Sequence, residues 1–157
     1  MKKTIWLALT ALLFWACTPE PFKSPDGSYD LTAGIEGSWT MESVVIEDRS
    51  FPTFTTLDIT EYFSEGLNLT FNPEDQSYEV IGTLEGHPFG ASGSYAFDDD
   101  EFPTAITFTP ANPELGTATI SLGNMVRIID PSMTLLHNRS SCDQQYAQYQ
   151  YTFNRTN

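Results

Sequence analysis

Beyond Gly37 the chain alternates. Trp39, Met41, Ser43 and Val45 fall on one face of an extended segment, with Thr40, Glu42, Val44 and Ile46 on the other. A period of two is the signature of a β-strand, whose successive side chains point to opposite faces. The alternation is cleaner in Leu67, Leu69 and Phe71, separated by Asn68 and Thr70. It repeats at Tyr78 and Val80, Tyr95 and Phe97, Ile106 and Phe108, and Ala118, Ile120 and Leu122. Val126 and Ile128 read as another short strand, Met133 and Leu135 as the next, and Tyr149, Tyr151 and Phe153 as the last and longest. Between the runs stand NPEDQ, HPFGASG, FDDDEFP, PANPELG, GN and DPS. These are turn compositions, because Gly supplies unusual φ, Pro fixes it, and Asn, Asp and Ser bond their own backbone. Eight or nine short strands with brief connections predict an antiparallel sandwich or barrel, since parallel pairs need crossovers of a dozen or more residues.

One stretch breaks the period. Residues 53–65, TFTTLDITEYFSE, read as one or two helical turns capped by Thr56 or Asp58, with Ile59, Tyr62 and Phe63 on one side. Lying between the first two long strands, this short insert suits a lid over one end of a barrel.

The N-terminus follows a third pattern. Lys2 and Lys3 precede an apolar run of 11 residues, Ile5 to Trp15, followed by Ala16 and Cys17. A bilayer span needs roughly 20 residues, so the run fits the hydrophobic region of a secretory signal. Phe14, Trp15, Ala16 and Cys17 occupy the four places of a motif that resembles the lipobox of bacterial lipoproteins. The resemblance implies cleavage before Cys17 and acylation of that cysteine, hence a lipid-anchored protein of the bacterial cell envelope, at the outer membrane. The predicted organisation is a signal and lipobox over 1–17, a tether over 18–35 and one domain over 36–157. Pro19, Pro21, Pro25, Gly27 and Gly34 make the tether a stiff, poorly packed segment.

Charge narrows the partners. The formal charge of the whole chain is -14, and loss of Lys2 and Lys3 leaves five basic residues against 21 acidic ones, or -16. Such a surface repels nucleic acid and anionic headgroups, which assigns membrane contact to the lipid. Cys17 and Cys142 are the only cysteines. Acylation of Cys17 leaves Cys142 unpaired, which excludes an internal disulfide framework and any two-cysteine metal site.

Gly37, Ser38 and Trp39 reproduce the glycine-any-tryptophan opening of the first strand of lipocalins. Together with GSWTMESVVIED, LNLTF, QSYEV, GSYAFDDDEFPTAITF and YQYTFNR, the domain resembles the lipocalin-like lipoprotein domains of unknown function found in Bacteroidetes. The resemblance implies an all-β fold, an antiparallel eight- to nine-stranded barrel with a short helical insert, and supplies no catalytic residues. The chain departs from classical lipocalins in lacking their disulfide and an evident arginine near the C-terminal strand to stack on the Trp, a role still open to Arg155.

Candidate chemistry is sparse. Asp98, Asp99 and Asp100 put consecutive carboxylates in one turn, a weak calcium candidate that lacks the Gly and Glu positions of an EF-hand loop. His87 and His137 have no second His or Cys at ligand spacing, and no Ser stands in a nucleophile elbow. The sequence therefore predicts neither an enzyme nor a cofactor. Two functions compete. One is binding of a small apolar or amphipathic ligand, with Trp39, Tyr62, Phe63, Tyr95 and Tyr151 as candidate contacts. The other is a non-enzymatic interaction or glycan-capture domain with a solid core, serving an envelope protein assembly. Interior bulk separates them, because the inside of an eight-strand barrel either fills with side chains or holds one ligand.

Overall fold

The computed structural model describes residues 32, 34–50, 54–63, 65–83, 85–124, 126–141 and 144–156. Cys17, almost all of the tether and Cys142 lie outside them. Nine strands follow in chain order: β1 (Gly37–Asp48), β2 (Thr55–Asp58), β3 (Leu67–Asn72), β4 (Ser77–Gly82), β5 (Ser92–Phe97), β6 (Ala105–Pro110), β7 (Ala118–Leu122), β8 (Ser132–Ser141) and β9 (Gln144–Arg155). Two short 3-10 turns, Thr60–Phe63 and Pro113–Leu115, complete the elements.

From β3 to β9 each strand pairs antiparallel with the next, and β9 returns to pair with β1 from Trp39↔Arg155 to Asp48↔Ala147. Eight strands thus close into a barrel, the predicted lipocalin-like architecture with a short helical insert. Closure removes the unpaired edges that an open sheet exposes. The ninth strand, β2, shares one edge of β1 with β3. Gly37 to Thr40 of β1 pair with β3, and Val45 to Asp48 pair with β2. The connections after β3, β5 and β7 lie at the end where the chain enters β1 and leaves β9, the entry end. Those after β1, β4, β6 and β8 lie at the far end.

Three local expectations are corrected. In β1 the pairing with β9 slips between Met41 and Ser43. One extra residue in a strand inverts the faces beyond it, so Val44, and not Ser43 or Val45, continues the inward face of Trp39, with no exposure at all. Val126 and Ile128 do not form a strand. The Arg127 backbone N–H donates to Asp130 Oδ2 at 2.9 Å, and Asp130 N–H to the Arg127 carbonyl at 2.9 Å. A turn therefore takes the groups a ladder would need. Between β1 and β3 only Thr60–Phe63 is helical, with Asp58 accepting from Thr60 N–H at 2.9 Å as its start. Tyr62 and Phe63 then part, Tyr62 to solvent at 81 % exposure and Phe63 into the core at 5 %.

The entry end is sealed around Trp39. Its indole N–H donates to the Ile35 carbonyl at 2.8 Å, and the Arg155 guanidinium lies 4.4 Å from the ring centroid. Arg155 also donates to the carbonyls of Glu36, at 3.0 Å, and Gly34. At Gly34 a side chain is excluded, since a Cβ would stand 1.9 Å from the Val126 carbonyl oxygen. Gly37, at φ +95°, takes a left-handed conformation that L side chains rarely adopt, which lets the chain turn past the indole.

Candidate functional site

The barrel interior is full. Trp39, Leu69, Phe89, Phe108, Met133 and Phe153 all have zero exposure, so a water-sized sphere reaches none of them. Phe89 contributes most to this. It enters from the loop after β4, with ring centroids 5.0 Å from Phe108, 5.3 Å from Tyr151 and 6.4 Å from Phe153. Its carbonyl accepts from the Tyr78 hydroxyl, whose pKa burial pushes up to about 12. Its N–H donates to His87 Nδ1 at 3.2 Å, while His87 Nε2 sits 2.9 Å from the Thr83 carbonyl. That pair of bonds suits the neutral Nε2–H tautomer, and burial holds the imidazole pKa below its ordinary value.

Of the five residues read from sequence as ligand contacts, four are walls of this core. Trp39 and Tyr95 lie toward the entry end, where Tyr95 packs on Phe71 at 5.0 Å. Phe63 and Tyr151 meet edge to face at 6.5 Å, toward the far end. Tyr62 is apart from all four on the surface. The acidic turn is likewise committed to itself. Asp98 accepts from the backbone of Thr104 and Ala105 at 2.9 Å each and from the Thr104 hydroxyl at 2.5 Å, and Asp99 accepts from Glu101 and Phe102. The Thr104 hydroxyl, then the two N–H groups, hold the Asp98 carboxyl down to about 2. Among the described residues no three His, Cys, Asp or Glu side chains come together as a metal site would need.

What remains open is a shelf at the far end. The second halves of β1 and β9 run past the barrel mouth with β2 on one flank and β8 on the other. Register puts Leu57, Ile46, Tyr149 and His137 directly opposite one another across these four strands. Opposed residues share a face, and Tyr149 has the inward parity of Tyr151 and Phe153. Exposure is graded along it, from Tyr151 at 1 % at the floor, through half-buried Tyr149 and His137, to Leu57 at 61 %. The rings of Tyr149 and Tyr151 stack at 6.4 Å and 16°, His137 lies 6.2 Å from Tyr149, and the Arg139 guanidinium stands 5.6 Å over the Tyr149 ring.

The shelf carries a cation, Arg139, with the Asp48 carboxylate two strands away in its row. Burial first, then Arg139, lowers the His137 pKa, so that imidazole is neutral at neutral pH. Arg49 is paired with Glu47 at 3.1 Å and Arg127 with Asp130 at 3.0 Å, whereas Arg139 has no carboxylate partner among the described residues. Asp48, two strands away in the same row, is occupied by Ser50 at 2.5 and 2.8 Å. The arrangement offers an aromatic and apolar surface with a cation at its rim, which can hold a molecule. Leu57 and Arg139 were not singled out as ligand contacts from the sequence. Period two marks Tyr149 as inward, but that the barrel wall ends beside it follows only from the pairing of distant strands.

Two further depressions lie outside the barrel. One of about 560 Å³ at the entry end is lined by Glu36, Gly37, Phe71, Pro73, Ile128 and Arg155. The other, about 520 Å³, runs over the outer wall between β3 and β5. Comparison with protein-family models, with curated proteins and with solved structures finds no match to this chain. The fold is that of closed antiparallel barrels of lipocalin-like architecture, an architecture consistent with binding proteins in general.

Proposed function

We propose that this protein is a lipid-anchored, non-enzymatic binding protein of the bacterial cell envelope that takes a small amphipathic ligand on the far-end shelf. The observation that carries the reading is the row Leu57, Ile46, Tyr149 and His137 beside Arg139. Binding sites combine apolar and aromatic lining with a few placed polar groups, and the shelf has both. The filled interior moves the site from inside the barrel to its mouth. Arg139 favours ligands with an acidic head by local contact, against the long-range repulsion of a chain with formal charge -14.

A second reading, an interaction domain with a solid core, draws on the same full interior and on exposed Phe54, Leu57, Tyr62 and Tyr146 at the far end. A thermal-shift panel of fatty acids, sterols and hydrophobic dyes separates the two. A ligand at about a hundred times its Kd stabilises the native state by about 2.7 kcal/mol, or roughly 10 °C for a domain of this size. Wild type should respond to acidic amphiphiles and Tyr149→Ala should not. A flat response across the panel leaves the interaction domain.

A further inference from the structure

Among the described residues most large exposed apolar side chains stand at the two ends of the barrel, with Ile81 on the outer face of β4 as the exception. Three of them, Phe102, Ile128 and Ile129, are at the entry end, with exposures of 60 %, 66 % and 80 %. Single exposed apolar residues are common and mean little, but Ile128 and Ile129 are adjacent at the tip of a turn that is held rigidly. Arg127 donates through Nε to Asp130 Oδ2 at 3.2 Å and through Nη2 to Oδ1 at 3.0 Å, in addition to the two backbone bonds that close the turn. The Asp130 carbonyl accepts from Arg155 at 3.5 Å, which ties the turn to the Trp39 seal. Val126 is buried beneath it, in backbone contact with Gly34.

Gly34 is where the chain from Cys17 arrives. Only fourteen residues lie between Cys17 and Thr32, and these fifteen steps reach about 50–54 Å when fully extended. A membrane holding Cys17 is therefore always within range of the Ile128–Ile129 tip. A tethered contact of this kind is intramolecular, so a partition too weak to bind a free domain is enough to orient an anchored one.

We propose that the Ile128–Ile129 turn is a bilayer-contact element, dipping into the headgroup–acyl boundary of the membrane that holds the lipid. The domain then stands on its entry end, with the shelf facing away from the bilayer. The proposal rests on the reading of Cys17 as lipid-anchored. The entry end also carries Glu36, Glu74, Asp75, Glu101 and the Asp98–Asp100 run, so the surface contacted is zwitterionic. An anionic one repels it, and salt relieves the repulsion.

The test uses the full acylated protein with Cys142→Ser and a single environment-sensitive fluorophore at Ile129→Cys, mixed with phosphatidylcholine vesicles. Flotation reports the anchor and emission reports the turn. The expected result is flotation with a blue-shifted probe that is quenched by lipids brominated in the upper acyl chain, while the same probe at Leu115→Cys, at the far end, is unchanged. Vesicles containing phosphatidylglycerol should give a smaller shift that grows with salt. Flotation with an unshifted Ile129 probe overturns the proposal and leaves the anchor standing, whereas absence of flotation removes both. A shift seen only in protein-containing envelope preparations assigns the turn to a protein partner, and one that grows with protein concentration in the absence of lipid assigns it to a second copy. Either result overturns bilayer contact.

Discussion

An indole with no exposure, a hydrogen bond on its nitrogen and a guanidinium on its face has three contacts to lose. Trp39→Ala should cost about 3–5 kcal/mol, the range for large buried aromatics, measured by denaturant unfolding. A change under about 1 kcal/mol would show that the Ile35 and Arg155 contacts do not hold the entry end together. Gly37 and Trp39 were legible as the opening of the first strand, but Trp39 was offered as a ligand contact and Arg155 only as a residue able to take the stacked role, so the seal they form comes from the structure. Val44 was not legible. A bulge leaves no mark on the composition of a strand, and the shifted pairing with β9 alone reveals which residues turn inward.

The loop after β4 behaves as a plug, and its hold is titratable. His87 accepts from Phe89 N–H, so protonation replaces an acceptor with a donor facing a donor. Burial lowers the folded imidazole's pKa below the unfolded value of about 6.5. The unfolded state therefore binds the proton first. The stabilisation is complete above that unfolded value and is lost as pH falls through the lower folded one. Amide exchange at Phe89 and neighbouring residues, corrected for intrinsic rates, should accelerate between pH 7 and pH 5 in wild type. In His87→Gln, which can both accept and donate without titrating, the acceleration should be absent. An equal pH response in the two proteins would remove His87 from the plug. Sequence reading took HPFG as punctuation, and the composition is indeed a turn. That one aromatic within it fills the barrel is a tertiary fact without periodicity to announce it. The strands themselves were legible because each has one wet and one dry face. The Val126–Ile128 segment mimicked that pattern by burying Val126 alone against Gly34.

At the scale of the molecule, the two ends differ: the entry end is sealed around Trp39, and the far end carries the open shelf. Cys17→Ser should move the protein from the membrane fraction to the soluble one, with intact-mass spectrometry showing loss of the acyl chains. Unchanged partition would remove the anchor. The barrel closes by joining its first long strand to its last, Trp39 to Arg155 and onward through Asp48 and Ala147. Contacts this distant in sequence form late, since a long loop must close before they contribute. Until β9 has been delivered, β1 lacks the partner that runs nearly its whole length and Trp39 lacks its guanidinium. Closure by β9 thus makes one strand's arrival the condition for the whole barrel, and the eight strands fold as a unit or not at all.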